Sequence, residues 1–257
     1  MEYNILYYLL ASIIFQIVMF IPAFIFKTDK LTDMSYSLTF IFLALFAFLT
    51  NTFSVPKLIL LVIISTWAVR LGAYLVIRIN KIGKDARFDG MREKFFKFIG
   101  FWLIQGLTVW VVVLSSLNFF INNYNNWTLL IAGLIIWLIG LLMESFADHQ
   151  KFTFRNNPKN KGKWISSGLY KYSRYPNYFG EFLCWVGIYI YVFQGFNTTS
   201  LINLVSPLFI LIMLLFVSGI RLLEQSNNKK FGNNKEYQKY KKQTSTFIPW
   251  FSKNGQN

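Results

Sequence analysis

Charged side chains inside or at the ends of long apolar stretches are the residues of this chain best suited to chemistry. Glu144, Asp148 and Arg155 share one helical face. Carboxylates on such a face can accept hydrogen bonds from ribose or amide groups, and an arginine at its end can bind phosphate bidentately. The same spacing also fits a solvated helix end with a local ion pair, so both interpretations stay open.

The stretch GLYKYSRYPNYFGE, residues 168–181, is the second candidate. Pro176 ends any preceding helix, Asn177 is typical of a helix N-cap, and Glu181 follows one turn later on the same face. A helix N-terminus beside Arg174 is an arrangement that binds anions. These features predict a phosphate-binding loop that leads to a buried acceptor, Glu181. Four tyrosines of the stretch either stack on a planar ligand ring or form an aromatic belt at a membrane interface: Tyr170, Tyr172, Tyr175 and Tyr178.

Several kinds of active site are excluded by what the sequence lacks. His149 is the single histidine, so neither a histidine box nor a two-histidine zinc site can form, and no metal is expected. The sequence contains no G-x-S-x-G, G-x-G-x-x-G or P-loop motif. The single cysteine, Cys184, is interpreted as a packing residue in an apolar helix. A nucleotide would therefore have to bind among helix ends and loops.

The elements that must position these residues are membrane helices. The chain has 257 residues, of which 54% are hydrophobic and only 14% charged. About 20 apolar residues in a helix cross the hydrocarbon core of a bilayer. We therefore predict an all-α polytopic membrane protein with seven transmembrane helices in a single domain, residues 1–257. The predicted spans are residues 3–26, 34–53, 58–77, 95–121, 127–147, 178–194 and 200–223.

The distribution of charge predicts how these helices are oriented. The net charge is +15, and 21 of the 26 lysines and arginines fall in alternate connections and the C-terminal tail. This is the positive-inside pattern for an external N-terminus and a cytoplasmic C-terminus. Loop cations of this kind set orientation and contact anionic lipids, so nucleic acid is not an expected partner.

Charges within the predicted spans converge on one side of the membrane. Arg70, Glu144, Glu181, Arg221 and Glu224 all belong to the half that is predicted to be cytoplasmic. A charge in hydrocarbon is costly, so each should face the interior of the helix bundle and a partner. This predicts one polar cavity that is open to the cytoplasm. Interfacial snorkelling is the alternative, and it is plausible for Arg221.

Four segments of the sequence resemble the steroid 5α-reductase family, especially its bacterial DUF1295 branch. GLYKYSRYPNYFGEFLCWVGIYI resembles the C-terminal signature of the family, and DHQKFTFRNNP also looks like the related sterol C14 and Δ7 reductases. RLGAYLVIRINKIGKDARFDGMR and EYQKYKKQTSTFIPWF are similar to its middle block and tail. The segments occur in this family's order and are spread over residues 65–251. They imply a reductase core at 56–251, behind variable N-terminal helices at 1–55.

The resemblance implies an activity, a cofactor and a location. Members of the family transfer a hydride from NADPH to an activated C=C bond of a lipophilic, steroid-like or enone-like substrate in the membrane. The abundance of Phe, Ile, Lys and Asn is typical of an AT-rich genome, so a bacterial inner membrane is expected. Membrane lipids and the lipophilic substrate are then the expected partners.

The resemblance also implies which residues serve the reaction. The chain departs from the steroid enzymes at three places. It has Glu144 where they have a neutral polar residue, and Glu224 near a position where they carry a histidine. The Gln–Glu pair with which they polarise the substrate is missing from this chain. The residues themselves suggest Tyr74, one turn after Arg70, as the candidate for donating a proton or polarising a carbonyl, because a phenol beside a cation can donate to a developing enolate. Glu181 is the second predicted catalytic residue. The implied cofactor-binding residues are Glu144, Asp148, Arg155, Lys163, Arg174, Asn177, Tyr178, Glu181, Glu224, Tyr237 and Tyr240.

Two other functions fit the same residues. The core G-L-Y-x-x-x-R-x-P-x-Y-x-G-E also resembles membrane methyltransferases of the isoprenylcysteine and phospholipid type, which bind S-adenosylmethionine. Those enzymes usually have Arg-His-Pro where this chain has Arg174-Tyr175-Pro176. The third interpretation is a lipid-binding or transport protein that has kept the fold without catalysis.

Overall fold

The computed structural model describes residues 5–83, 85, 88–122 and 126–251. Within these ranges the chain is helical and forms no β-strand, which confirms the predicted all-α class. The α-helices are α1 (Ile5–Ile25), α2 (Lys30–Thr50), α3 (Val55–Ile82), α4 (Phe95–Ile121), α5 (Trp127–Asn156), α6 (Pro176–Tyr191), α7 (Thr198–Asn203), α8 (Val205–Ile212), α9 (Ile220–Phe231) and α10 (Lys235–Gln243). Turns of 3₁₀-helix cover Pro158–Asn160 and Gly168–Lys171, and a π-helical turn covers Met213–Val217.

Six helical segments of the described chain are long and apolar enough to cross a membrane. They are α1, α2, most of α3, α4, α5 and the segment Thr198–Phe231, which contains α7, α8 and α9. They overlap six of the seven predicted spans. The remaining predicted span, residues 178–194, corresponds to α6, which has 16 residues. At 1.5 Å per residue, α6 is about 24 Å long and falls short of a hydrocarbon core of about 30 Å.

The helices form two compact units, and the first consists of residues 1–127 and 192–206. In this unit α2 packs against α3, and α1 packs against α4. Phe20, Phe98 and Trp102 are buried together, with the ring centroids of Phe20 and Phe98 5.7 Å apart. Edge-to-face packing of large aromatic rings therefore joins α1 to α4.

Polar side chains also join the helices of the first unit. Gln16, Thr39 and Gln105 are buried. Gln16 Nε2 donates to Thr39 Oγ1 at 2.7 Å, and Gln105 Nε2 donates to Gln16 Oε1 at 3.2 Å. Because hydrocarbon offers no alternative partners, such interhelical hydrogen bonds hold membrane helices together. The three residues thus link α1, α2 and α4.

A buried ion pair joins the connection before α2 to the connection before α4. Arg92 Nε lies 2.7 Å from Asp29 Oδ1, and the Asp85 backbone N–H donates to Asp29 Oδ2 at 2.8 Å. Burial pushes the pKa of Asp29 upward, but the Arg92 guanidinium and the N–H groups outweigh it and hold this pKa below its usual value. The exposed Asp89 accepts a second bond from Arg92 at 2.8 Å.

The second unit consists of residues 128–191 and 207–257. In it, two glycines of α5 face two glycines of α6: Gly133 and Gly140, and Gly180 and Gly187. A Cβ atom at Gly180 would lie 2.5 Å from the backbone nitrogen of Glu144, so no side chain fits there. Small residues allow this direct backbone contact between membrane helices. The contact fixes the buried face of α5 against the start of α6.

Candidate functional site

The second unit contains a cavity of about 630 Å³. The end of α5, the loop that follows it, α9 and α10 bound this cavity. Among the described residues that line it are six cations and one carboxylate, Glu224. The cations are Lys151, Arg155, Lys161, Lys163, Arg174 and Lys230. A recess with this balance of charge has a positive potential and attracts a ligand that carries several negative charges.

Two of these cations reach the cavity because α5 continues past its apolar part to Asn156. Lys151 and Arg155 are four residues apart and therefore lie on one helical face. Glu144 and Asp148 are buried further back on the same helix. The predicted continuous helical face from Glu144 to Arg155 is thus confirmed.

The loop after α5 carries two further cations, Lys161 and Lys163. Pro158 comes two residues after Asn156, the last residue of α5, as expected for a residue that has no N–H for the helical hydrogen bond. Asn160 Nδ2 then donates to the Phe154 carbonyl at 3.0 Å. This bond turns the loop back onto the end of α5 and keeps both lysines at the cavity.

Aromatic side chains form another part of the lining. The ring centroid of Trp164 lies 5.1 Å from that of Tyr237, in an edge-to-face arrangement, and 5.6 Å from that of Phe231. Tyr240 extends the group, with its ring centroid 6.4 Å from that of Tyr237. Such clusters offer flat apolar faces to a planar ligand group. The cavity therefore combines a cationic part with an aromatic part.

The lining carboxylate is engaged within the protein. Arg174 Nη1 donates to Glu224 Oε2 at 2.7 Å, and Lys241 Nζ lies 3.2 Å from the same oxygen. The Tyr175 hydroxyl donates to Glu224 Oε1 at 2.7 Å. Burial and the adjacent Glu224 carboxylate raise the pKa of Tyr175, so its phenol stays a neutral donor. The charge of Arg174 is thus compensated, while five other cations face the cavity.

A buried tyrosine, Tyr170, and a partly buried one, Tyr240, fasten the loop before α6. The Tyr240 hydroxyl donates to the Tyr170 carbonyl at 2.8 Å, and the Tyr170 hydroxyl donates to the Ala147 carbonyl at 3.3 Å. Burial raises the pKa of Tyr240, so this bond persists through the neutral pH range. The bonds tie α10 to the loop, and the loop to α5.

The predicted cofactor residues fall into two groups within the second unit. Those that line the cavity are Arg155, Lys163, Arg174, Glu224, Tyr237 and Tyr240. The others lie on α5 and α6 and are not among the residues that line it: Glu144, Asp148, Asn177, Tyr178 and Glu181. Tyr178 stacks on Tyr175 with ring centroids 6.1 Å apart.

The prediction that Asn177 is the N-cap of the next helix is wrong. Pro176 is already the first residue of α6, so Asn177 lies within the first turn. Proline is favoured at this position because its fixed φ suits the helix and its missing N–H needs no partner there. Asn177 Nδ2 instead donates to Asp148 Oδ1 at 3.2 Å and joins α6 to α5.

Tyr74, the other predicted catalytic residue, belongs to the first unit. It is partly buried on α3, one turn after Arg70, as the spacing predicted. Its role in proton donation stays a prediction, as does the role of Glu181.

Several lining residues escaped the sequence analysis. Lys151 could have been found, because it lies one turn before Arg155 on the predicted helical face. Trp164, Phe231 and Lys230 could not, because no periodic pattern connects a loop residue with the end of a helix far along the chain. The cavity brings these three residues together.

Comparisons with known proteins give one family and one short relative. The family described as "Protein of unknown function (DUF1295)" matches residues 19–244. A probable O-methyltransferase of Ustilaginoidea virens, ustE, is 41% identical over 49 residues. That match covers 19% of the chain and 17% of the relative. No solved structure matches the chain significantly.

Proposed function

The chain belongs to the DUF1295 family, and we propose that it is a membrane-embedded reductase that uses NADPH. The proposed reaction is the reduction of an activated C=C bond in a lipophilic, enone-like substrate. The observation that carries the proposal is the cavity of the second unit, in which six cations and an aromatic cluster line the same space. The resemblance of residues 168–190 to steroid 5α-reductases supports it separately.

The charge of the cavity favours NADPH over other nucleotide-like ligands. NADPH carries a pyrophosphate and an additional phosphate on its adenosine ribose, so it is strongly anionic. S-adenosylmethionine carries a sulfonium cation and no phosphate. A lining with six cations and one compensated carboxylate attracts the first ligand and repels the charge of the second. The volume of about 630 Å³ is typical of small-molecule sites.

The residues of the chain have distinct parts in this proposal. Arg155 and Lys163 hold phosphate groups, since a guanidinium can bind phosphate with two parallel hydrogen bonds and an ammonium acts as a point charge. Trp164 and Tyr237 flank a planar ring of the cofactor. The pair Arg174–Glu224 fixes the wall between these groups. When bound, the cofactor supplies the hydride for the C=C bond.

The organisation in the membrane is part of the same proposal. Seven membrane helices, including the short α6, are proposed with the N-terminus outside and the C-terminus in the cytoplasm. The clustering of loop cations supports this orientation. In this orientation the cavity of the second unit would open to the cytoplasm, where NADPH is made. The protein itself would lie in a bacterial cell membrane.

Hydride transfer can be tested directly with an isotope. The purified protein in nanodiscs is incubated with NADPH that carries deuterium at its transferable position and with α,β-unsaturated ketones of increasing apolar size. We expect one deuterium at the β-carbon of the saturated product. A heat-denatured sample serves as the control. The proposal would be contradicted if a ketone is reduced without deuterium at its β-carbon. It would also be contradicted if no ketone is reduced and the protein does not bind NADPH.

Methyl transfer is the second candidate function, and one observation favours it. The relative ustE is named a probable O-methyltransferase, and it shares 41% identity with the chain over 49 residues. The experiment replaces NADPH by S-adenosylmethionine with a labelled methyl group, in nanodiscs that contain hydroxyl- and carboxyl-bearing lipids. Label in the lipid fraction would favour the methyltransferase over the reductase.

A further inference from the structure

The last described residues, 244–251, run back along the loop before α6, and we term them the tail strap. The Arg174 N–H donates to the Ser245 carbonyl at 2.8 Å, and the Trp250 N–H donates to the Tyr172 carbonyl at 3.0 Å. Main-chain bonds therefore fix the strap near both of its ends. Because these bonds fix the backbone of the strap along the loop, side chains on its outer side stay on the surface of the protein.

The inner side of the tail strap packs on the beginning of α6. The ring centroid of Phe247 lies 5.4 Å from that of Phe179 and 5.8 Å from that of Phe182. Phe179 and Phe182 belong to the first two turns of α6, which starts at Pro176. The strap thus lies beside the first turns of α6, an apolar helix whose length is less than the thickness of the hydrocarbon core of a bilayer.

The outer side of the tail strap is apolar and exposed. Its large side chains are Ile248 with 59% of its surface exposed, Trp250 with 69% and Phe251 with 77%. Three such residues within four positions form a continuous apolar patch rather than scattered exposed residues. Patches of this kind mark a surface that meets another apolar medium. Tryptophan and phenylalanine are typical of segments that lie at the headgroup level of a bilayer.

The helix directly before the tail strap is basic. α10 carries four lysines and one glutamate, Glu236. The lysines are Lys235, Lys239, Lys241 and Lys242, of which all but Lys241 are exposed. Lys241 is engaged with Glu224 and Asn228. Exposed lysines next to an apolar aromatic patch are complementary to the anionic headgroups of a lipid surface.

We propose that the tail strap and α10 form an interfacial anchor that binds an anionic lipid surface. Ile248, Trp250 and Phe251 enter the headgroup region, and the exposed lysines of α10 face anionic headgroups. The anchor acts on the cavity through the wall residues Arg174 and Tyr240, which the strap and α10 hold. This inference concerns a lipid contact, so it does not depend on which cofactor the cavity takes.

The position of Trp250 tests the proposal. The full chain is reconstituted in nanodiscs whose lipids carry bromine on the acyl chain close to the headgroup. The emission of Trp250 is obtained by subtracting the tryptophan emission of a Trp250→Phe variant from that of the wild-type protein. Phenylalanine keeps an aromatic ring at this position. We expect more than half of this fluorescence to be quenched, and more strongly than by bromine at the chain end. Unquenched Trp250 that remains accessible to iodide in the water would overturn the proposal.

The lysines are tested by the lipid dependence of stability. The melting temperature of the wild-type protein should be higher in nanodiscs with phosphatidylglycerol than with phosphatidylcholine alone. A variant with Lys235, Lys239 and Lys242 changed to Gln should lose most of this increase, while Lys159→Gln, outside the anchor, should keep it. An equal increase in both variants contradicts the proposal. In the fluorescence experiment, shielding of Trp250 from iodide that rises with protein concentration, without quenching by the bromolipid, would contradict the lipid contact. It would assign the apolar patch to a contact with a second copy of the chain.

Discussion

Arg174 and Glu224 are 50 residues apart in the sequence, yet Arg174 Nη1 donates to both carboxylate oxygens of Glu224, at 2.8 and 2.7 Å. Only 9% of the arginine side chain and 17% of the glutamate side chain are exposed. The pair therefore compensates two charges that the second unit has largely removed from water, and it does so in the wall of the candidate cofactor cavity.

Removal of both partners of this pair should be less harmful than the sum of the two single removals. Glu224→Gln leaves the Arg174 charge without its counterion, and we expect a loss of about 3 kcal/mol in the free energy of unfolding. The double variant Arg174→Gln with Glu224→Gln should be more stable than the sum of the single losses predicts. Unfolding of all four proteins in one detergent measures this coupling. Strictly additive losses would show that the ion pair contributes nothing.

Cations that line the cavity should affect nucleotide binding, whereas a cation beside it should not. Arg155→Gln and Lys163→Gln each remove a charged donor, worth about 1.5–3 kcal/mol, and should weaken NADPH binding about 10-fold or more. Lys159→Gln is the matched control, because Lys159 is exposed on the same loop and does not line the cavity. Titration with NADPH and NADH gives both affinities. If Arg155 binds the ribose phosphate, its removal lowers the preference for NADPH over NADH, and an unchanged ratio excludes that role.

The contact between α5 and α6 should tolerate no side chain at Gly180. The Cβ atom of Gly180→Ala would overlap the backbone of Glu144, so one helix has to move, and overpacking of this kind typically costs about 1–3 kcal/mol. Gly100→Ala is the control, since apart from its chain neighbours and the backbone of its own helix no atom lies within 4 Å of its Cβ position. In that open helical position alanine should leave stability unchanged or raise it. Equal melting temperatures for both variants would contradict the close helix contact.

Acid should selectively weaken the ion pair between Asp29 and Arg92. The folded-state pKa of Asp29 is lowered, so its contribution to stability is present above the unfolded value of about 3.9 and is lost as the pH falls through the folded value. The melting temperature of the wild type should therefore approach that of Asp29→Asn in acid and exceed it at neutral pH. Asp89→Asn, which changes the exposed partner of Arg92, should have a small effect at every pH. A constant difference between wild type and Asp29→Asn from neutral pH into acid would contradict the assignment.

The helices could be predicted from the sequence because long apolar runs and helical periodicity are local signals. The extension of α5 as far as Arg155 followed from the spacing of Glu144, Asp148 and Arg155. The length of α6 did not follow from composition, since the apolar run continues past Tyr191, where the helix ends. The N-cap prediction at Asn177 failed because two local preferences compete there, and proline at the first helical position prevails over asparagine at the cap.

The candidate site was only partly predictable because its geometry depends on contacts between distant residues. Arg174 was interpreted as a phosphate ligand since nothing local indicates that Glu224, 50 residues later, compensates its charge. The aromatic cluster of Trp164, Phe231 and Tyr237 likewise depends on how a loop, α9 and α10 meet. Composition showed an excess of cations, and the fold decides which of them face one cavity.

Thermal unfolding of the purified protein with NADPH, NADH or S-adenosylmethionine tests the central claim most directly. A ligand that binds only the folded state stabilises it by about 2.7 kcal/mol at a hundredfold excess over its dissociation constant. We expect NADPH to raise the melting temperature, NADH to raise it less, and S-adenosylmethionine to leave it unchanged. An increase with S-adenosylmethionine alone, or no increase with NADPH, would contradict a phosphate-binding cofactor cavity in this protein.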